Sequence, residues 1–387
     1  MLRSLRSPAS RRLAAVIRAT DVGSVPSPPP PLHLRPALSS QHPLHHHHSI
    51  LGFHPFSSPM VSACFSSEAA SAAPAEESST AATASEVVAE LYEKMLTSVE
   101  KARTMPPNAN LWSLVESCAN EEDVKLLFQI LQRLRVFRLS NLRIHSNFNC
   151  HLCRRVSEAC VRANAIDYGL KALWNHNVYG LTPSVSSAHC FLLHAKEKKD
   201  AKLMVRIMKV MGKNSLPLQP GTANIVFSIC YNTNDWALMS KYAKRFLKAK
   251  VKLHRIAFDI WMDFAAKVGD TKSIWKIEKL RSATVKKHTV ASVFSCAKGY
   301  LLERNPESAA AIINLLYQEL ADHKKQSVVD ELQKLLVGEW AQKLVKKQKK
   351  ADREELAESL RSDISAMAAS LLNMGIDAKV NLEEMKC

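Results

Sequence analysis

Glycine and long apolar runs are both scarce in this sequence. The 387 residues include ten glycines, while alanine, leucine, lysine and glutamate are abundant, and this balance favours a mostly helical protein over a barrel or a doubly wound sheet. No apolar run approaches the roughly 18 residues that a transmembrane helix needs. At 47% hydrophobic residues, the chain can still bury the cores of one or two soluble domains. We therefore expect an all-α fold with no membrane span.

Motifs of several enzyme classes are also missing. The sequence has no glycine-rich phosphate loop, no nucleophile elbow and no HExxH motif. It also lacks the combination of HxE and CxxC that marks the zinc deaminases. The sequence therefore predicts no catalytic residue, no cofactor and no small-molecule substrate.

The cysteines include one pair with a spacing that could bind metal. Cys150 and Cys153 form a CxxC, which could begin a zinc site or a redox pair. A second ligand pair at matching spacing is absent. Together with Cys160 they fall on one predicted helix, where buried thiols act as small hydrophobic side chains. We expect packing here and no metal site.

Acidic residues are in the minority, and one stretch has none at all. The formal charge is +17, which indicates an anionic partner. Residues 241–255 carry seven basic side chains without an acid: Lys241, Lys244, Arg245, Lys248, Lys250, Lys252 and Arg255. Because neutralised phosphates release counterions, such a cluster can bind single-stranded nucleic acid without recognising a base. The alternative is an ordinary solvated helix face.

Residues 1–65 differ in composition from the rest of the chain. They contain six arginines, no lysine and a single acid, Asp21, among many serines and prolines. This composition, depleted in acids, is typical of a mitochondrial or chloroplast transit peptide and argues against an ordinary disordered N-terminus. The basic amphipathic pattern of residues 1–19 favours the mitochondrial one. Its removal would lower the formal charge by five, to +12, so the mature chain would remain basic. Residues 66–85 predict a disordered linker that leads into a helix near Glu86.

A helical hairpin is predicted between Ala257 and Leu280. Apolar residues recur at helical spacing on both sides of a turn, where Gly269 suits the end of one helix and Asp270 or Thr271 can cap the next. Similar turns occur upstream at intervals of 35 residues, after a first interval of 44, and once downstream at an interval of 36: Asn120, Asn164, Lys199, Asn234, Gly269 and Asn305. Six such hairpins predict an α-solenoid, in which each unit buries its apolar stripe against the next.

Two features recur in register with these turns. An aspartate follows three of them as a predicted helix cap: Asp200, Asp235 and Asp270. Five positions after the turns stand small or apolar residues: Gly169, Met204, Met239, Ile274 and Ala310. We expect both sets to hold each second helix against its neighbours.

Residues 222–255 and 256–282 resemble the pentatricopeptide repeat family, whose thirty-five-residue helical hairpins are abundant in plant organelles. The resemblance covers roughly Asn110 to Leu320 and implies a right-handed α-solenoid. Family members can recognise one RNA base per repeat through two side chains. The matching first positions are Arg154, His189, Asn224 and Asp259, paired with Ser184, Gln219, His254, and Thr289 or Val290. Only Asn224 fits its place in the family's usual pairs. This argues against base-specific recognition and favours either contacts with the RNA backbone or a role in protein assembly.

The C-terminal segment continues as predicted helix beyond the repeats. With repeats over 86–325, residues 326–387 would cap the last hairpin or dock on a partner protein. The resemblance and the charge together predict a non-catalytic component or tight partner of the plant mitochondrial ribosome, in the matrix, that binds rRNA and neighbouring ribosomal proteins. Two alternatives stay open. One is a free factor for processing, stability or translation of a mitochondrial transcript, and the other is a tetratricopeptide-like protein scaffold.

Overall fold

The computed structural model describes residues 84–140 and 147–376, and within these ranges the protein is α-helical without strands. The all-α prediction is confirmed. None of the described helices is long and apolar enough to span a membrane. The predicted transit peptide (1–65) lies outside the described residues, as do most of the predicted linker (66–85) and the last eleven residues of the predicted tail.

Sixteen helices occupy the described ranges. They are α1 (Glu86–Glu100), α2 (Asn108–Ser117), α3 (Glu121–Ser140), α4 (Cys150–Arg162), α5 (Ile166–Trp174), α6 (Val185–Glu197), α7 (Ala201–Lys213), α8 (Pro220–Asn232), α9 (Trp236–Lys248), α10 (Arg255–Val268), α11 (Thr271–Thr284), α12 (Val290–Leu302), α13 (Pro306–Glu319), α14 (Asp322–Leu336), α15 (Glu339–Val345) and α16 (Lys350–Asn373).

Five of the six predicted hairpins are packed helix pairs, from α4 with α5 to α12 with α13. The first helices of the pairs form what we call the first-helix row. In this row α4, α6, α8, α10 and α12 each pack against the next, and α2 packs against α4 at one end. The row is joined by ring contacts, such as Phe227 with Trp261 at 5.8 Å. The hairpin predicted around Asn120 differs, because α3 packs mainly against α1.

The turns inside the five packed hairpins occur at a constant interval. A left-handed backbone residue stands at intervals of 35 residues throughout: Asn164, Lys199, Asn234, Gly269 and Arg304. In all five the next N–H donates to the carbonyl five residues earlier, at 2.8–3.0 Å, which closes the first helix as a Schellman motif. The turn predicted at Asn305 is therefore wrong by one residue. Asn305 instead caps α13, where its Oδ1 accepts from the Ser308 N–H at 3.1 Å.

The predicted aspartate caps are confirmed. Asp200, Asp235 and Asp270 each accept a hydrogen bond from the backbone N–H three residues later, at 2.8–2.9 Å. Such a bond satisfies one of the amides that the first turn of a helix leaves without a partner. The small or apolar residues predicted to follow the turns are buried in every repeat. Four of the five second helices are therefore fixed at the start by a side-chain cap and at the first turn by packing, whereas α5 follows Ala165 and has the packing alone.

The C-terminal segment forms three helices and not one continuous helix. Breaks occur at Gly338, which has a positive φ of 77°, and at residues 346–349. α16 packs against α13 and α12, so it lies against the last hairpin. α14 packs against α12 and α15 against α10, so these two helices return over the first-helix row.

Candidate nucleic-acid interface

The basic cluster of residues 241–255 lies on α9 and on the loop after it. All seven of its cations are exposed, and none forms an ion pair in the described part of the chain. On α9, Lys241, Lys244 and Lys248 follow one stripe at helical spacing, opposite the buried side chains of Met239 and Phe246. The burial of the apolar side thus leaves the charges facing solvent.

The loop after α9 keeps the remaining cations close to this stripe. Lys250 adopts a left-handed conformation with φ of 55°, and the Val251 N–H donates to the Phe246 carbonyl at 3.1 Å. This closes α9 as a Schellman motif and leaves Lys250 and Lys252 exposed just beyond the helix. Unpaired cations at this density suit a polyanion, since each phosphate they neutralise releases counterions.

Two of the four residues predicted from the resemblance to recognise bases form hydrogen bonds within or next to their own helices. Arg154 Nε donates to Glu158 Oε1 at 2.8 Å, one turn along α4. His189 Nε2 lies 2.8 Å from Thr222 Oγ1 of α8 in a hydrogen bond, and burial lowers the pKa of His189. The Arg154 charge is thus partly neutralised, and His189 is held against the neighbouring repeat.

The other two code positions are similarly confined. Thr289 Oγ1 donates to Asp259 Oδ1 at 2.6 Å, and burial raises the pKa of Asp259 although this bond and Arg255 oppose the shift. Asn224 Oδ1 is buried and accepts no hydrogen bond from the described residues. The paired second positions are Ser184, Gln219, His254 and Thr289, which are the N-cap residues of α6, α8, α10 and α12.

The first-helix row is covered near Asp259. A cavity of about 670 Å³ lies between α8, α10, α12 and the returning α14, and its lining includes Asp259, Asp263 and Asp330. Asp263 accepts from the Tyr231 hydroxyl at 2.6 Å and pairs with Lys298 at 3.1 Å. α14 therefore brings Asp330 and the ion pair of Lys334 with Glu331 to this surface.

The structure also shows basic side chains that the sequence reasoning missed. Lys213 Nζ lies 4.0 Å from the centre of the Trp174 ring, and Trp174 is 44% exposed. Arg138 stacks on Phe148 at 4.3 Å, and Arg135 lies beside it on α3. The spacing of Arg135 and Arg138 places both on one face of α3, which the sequence alone could indicate. Their contacts with Gly180 and Phe148 in the loops around the next hairpin are seen only in the structure.

The cysteines follow the packing prediction with one exception. Cys153 and Cys160 are buried, and burial raises the pKa of Cys153 to about 12, so its thiol keeps its proton. Cys150 is exposed at the first position of α4 and is not a packing residue. The described residues contain no group of three or more side chains placed to hold a metal ion.

Comparison of the chain with protein-family models and with curated proteins gave no match.

Proposed function

We propose that this protein is a degenerate pentatricopeptide repeat protein that folds as a right-handed α-solenoid and binds RNA through its backbone phosphates. The observation that carries the RNA proposal is the set of seven exposed cations without ion pairs on α9 and its loop. The solenoid proposal is supported by the unbroken 35-residue turn spacing and by the packing of each first helix on the next.

A fixed RNA scaffold suits these properties better than a sequence-specific target. The code positions are bonded or buried inside the protein, whereas the exposed cations carry no base information. We therefore place the protein in the plant mitochondrial matrix, as a non-catalytic component or tight partner of the ribosome. Its partners there are rRNA and neighbouring ribosomal proteins. The composition of residues 1–65 supports the mitochondrial location.

Sedimentation of a matrix lysate tests this proposal. We expect the protein to migrate with one ribosomal subunit through a high-salt wash, to shift when EDTA separates the subunits, and to be released by RNase. Slow sedimentation with one enriched transcript would instead identify a free RNA factor. Complexes that persist unchanged after RNase would identify a protein scaffold, and either of these results would overturn the ribosomal assignment.

A further inference from the structure

An exposed cation occupies the same position in four successive second helices. These residues recur at intervals of 35 on α5, α7, α9 and α11: Lys171, Arg206, Lys241 and Lys276. A second set recurs at the same interval three residues further along α7, α9 and α11: Lys209, Lys244 and Lys279. Because residues three apart are neighbours on a helix surface, both sets lie on one side of each helix. The basic cluster of residues 241–255 is therefore part of a larger pattern.

The solvent-exposed sides of α7, α9 and α11 form what we call the outer face. The exposed cations of these helices, four on α7, four on α9 and three on α11, are Lys202, Arg206, Lys209, Lys213, Lys241, Lys244, Arg245, Lys248, Lys272, Lys276 and Lys279. The opposite sides of the helices are buried in the hairpins, through side chains such as Met204, Met239 and Ile274. Packing of the apolar sides thus leaves the outer face strongly basic.

Carboxylates are nearly absent from these three helices. Glu278 is the single acid in their sequences, and the buried Arg281 donates to both of its oxygens, at 2.7 and 2.8 Å. The aspartates that precede the helices accept backbone hydrogen bonds as caps. Asp167 of α5 pairs with Arg206, and Lys213 Nζ donates to a backbone carbonyl of α5 at 2.6 Å. The other nine cations of the outer face form no ion pair with any residue that the structure describes.

Contacts between hairpins hold the second helices side by side. α7 packs against α5, and Asn214 Nδ2, just beyond α7, donates to the Leu173 carbonyl of α5 at 3.0 Å. One terminal nitrogen of Arg245 on α9 lies 3.3 Å from the place where Gly212 of α7 would carry a Cβ. α9 and α11 both pack against α10. Because the hairpins share one turn spacing and one first-helix row, α11 follows α9 as α9 follows α7.

The cations of the outer face spread in two directions and not along one line. Along α7 they extend from Lys202 to Lys213, about 16 Å at the usual helical rise. Neighbouring helices lie about 8–10 Å apart, so three of them spread the charge over about 16–20 Å in the other direction. A single strand presents one line of phosphates, whereas the two backbones of a duplex present phosphates over a field. The shape of the outer face therefore favours a double-stranded nucleic acid.

No aromatic ring of α7, α9 or α11 is exposed, and the structure describes every residue of these helices. Tyr242 and Phe246 of α9 are buried. Trp236 packs on Phe264 at 5.3 Å, and the half-buried Trp275 of α11 is hydrogen-bonded through its indole. Single-stranded RNA is usually bound by stacking its bases on exposed rings. Double-stranded RNA is bound through its shape, its phosphates and its 2′-hydroxyls, which basic side chains alone can contact.

We propose that the outer face of α7, α9 and α11 binds a double-stranded segment of RNA through phosphates of both strands. This inference rests on the proposed RNA binding and specifies the form of the RNA and the surface that holds it. The contact lies on second helices, whereas the residues predicted to recognise bases lie on first helices. Lysine suits such a surface, because its flexible stem carries a point charge to a phosphate without recognising a base.

The form of the RNA is tested with three labelled probes of one sequence. They are an RNA duplex of about 16 base pairs, one of its strands alone, and the matching DNA duplex. Binding to the full chain is followed by fluorescence anisotropy over a range of KCl concentrations. We expect the RNA duplex to bind about tenfold more tightly than the single strand, because it offers more phosphates and releases more counterions for each contact. It should also bind more tightly than the DNA duplex, whose grooves differ in shape and which lacks 2′-hydroxyls.

Two lysines outside residues 241–255 locate the binding surface. The double variant Lys209→Gln, Lys279→Gln removes one cation from α7 and one from α11. Its control, Lys94→Gln with Lys101→Gln, removes two exposed lysines without ion pairs at α1. We expect K209Q/K279Q to bind the RNA duplex about tenfold more weakly and its log–log salt slope to fall by about 2, since each contact with a duplex contributes about 0.9. The control should stay within about twofold of wild type, because salt screens distant charges.

The melting temperature without RNA verifies that both variants fold, as expected for exposed lysines. Equal loss of duplex affinity in the two variants would show that net charge controls binding, and would overturn the inference. A single strand that binds as tightly as the RNA duplex, or a DNA duplex that does so, would also overturn it and leave the proposed function intact. Failure of the wild-type protein to bind either form of RNA at low salt would instead overturn the proposed function.

Discussion

Trp340 Nε1 donates a hydrogen bond to the Ala266 carbonyl at 2.9 Å, across 74 residues of sequence. Ala266 lies near the end of α10, where the last carbonyls of a helix lack partners within it. Beside it, Leu344 contacts Gly269, where an added Cβ would lie 2.8 Å from the Leu344 side chain. Through these contacts α15 is anchored to the Gly269 turn, which joins α10 to α11. This anchor also holds α14 over the first-helix row.

Replacing Trp340 tests this anchor. Trp340→Phe keeps a ring but removes the hydrogen bond, so the buried Ala266 carbonyl loses the indole donor and keeps only the Gly269 N–H at 3.2 Å. We expect the free energy of unfolding in urea to fall by about 1 kcal/mol. Hydrogen exchange of the amides in 322–345 should rise more than exchange in α8 or α9, because the loss is local.

Trp275→Phe is the matched control for this substitution. Trp275 also donates from its indole, to Glu303 at 2.5 Å, but at an exposed site outside the tail. W275F should leave exchange in 322–345 unchanged. If both variants accelerate exchange in the tail equally, the Trp340 bond does not hold α14 and α15 in place.

Gly169 gives a prediction about packing inside a repeat. A methyl group at this position would lie 2.5 Å from Phe191 Cζ and 3.0 Å from Cys160 Cβ, both of them in buried side chains. Gly169→Ala should therefore lower the free energy of unfolding by about 1–3 kcal/mol through overpacking, despite the better helix propensity of alanine. Chemical denaturation followed by circular dichroism measures the change.

Gly212→Ala provides the comparison for Gly169. A methyl group there meets only the end of the exposed Arg245 side chain, at 3.3 Å, and that end can move. G212A should be neutral or slightly stabilising. In the double variant Gly169→Ala with Phe191→Leu, part of the lost stability should return if contact with Phe191 is the cause.

The hairpin interiors could be predicted because their signals are local. Gly269, the cap Asp270 and the apolar residue Ile274 all stand within six residues, and the same arrangement recurs every 35 residues. Local sequence determines such turns and caps through backbone conformation and single side-chain bonds. The error at Asn305 has the same origin, because asparagine suits both the left-handed turn and the cap, and only the geometry assigns it to the cap.

The parts that could not be predicted depend on contacts far apart in sequence. The residues near Trp340 do not indicate that its indole bonds to α10. The apolar stripe of this segment is compatible both with packing on the last hairpin and with binding a partner protein. The packing of α3 against α1 could not be predicted from the sequence either, because the residues around Asn120 follow the same pattern as the hairpin turns. The predicted site combined the charges at 241–255 with Arg154, His189, Asn224 and Asp259. That these four are bonded or buried within the protein depends on contacts between repeats, which the sequence does not reveal.

The basic cluster predicts a salt-dependent affinity that does not depend on base sequence. The triple variant Lys241→Gln, Lys244→Gln, Lys248→Gln removes three exposed cations from one stripe of α9. We expect the log–log salt slope for single-stranded RNA to fall by about 2, since each lost phosphate contact contributes about 0.7. The change should be the same for RNAs of different sequence, as measured by anisotropy.

Three lysines of the C-terminal helices provide a control of equal charge. Lys325, Lys334 and Lys343 each pair with a carboxylate at 2.7 Å. Their replacement by glutamine removes the same formal charge from the chain. The salt slope should then change by less than a third of the change in the α9 variant. Equal effects would mean that net charge, and not the α9 stripe, controls RNA binding.

A buried polar network at the end of α11 gives a prediction about pH. Arg281 is 3% exposed and donates to both carboxylate oxygens of Glu278, at 2.7 and 2.8 Å, and to the Val285 carbonyl at 2.7 Å. One terminal nitrogen of Arg281 also lies 2.9 Å from His288 Nε2. A guanidinium can only donate, so Nε2 carries no proton, and Nδ1 donates to Ser292 Oγ at 3.0 Å. His288 is therefore neutral in the fold.

Burial lowers the pKa of His288 to about 4, although Glu278 acts in the opposite direction and Arg281 adds to the decrease. The unfolded chain, with a histidine pKa near 6.5, binds the extra proton first as the pH falls. His288 thus contributes stability that is present above about pH 6.5 and is lost by up to about 3 kcal/mol as the pH approaches 4. Urea unfolding of the wild type at several pH values between these limits measures the loss.

Carboxylates also titrate at the acidic end of this range, so the wild type alone does not give the contribution of His288 to the loss of stability. Replacing His288 isolates that contribution. His288→Gln keeps an acceptor for Arg281 but cannot take a proton. The difference in the free energy of unfolding between wild type and H288Q should shift in favour of H288Q as the pH falls, with most of the shift between pH 6.5 and the region of about 4. His254→Gln, at an exposed histidine, controls for the loss of an imidazole. A difference between wild type and H288Q that stays constant with pH would show that His288 takes its proton equally easily in the folded and unfolded chains.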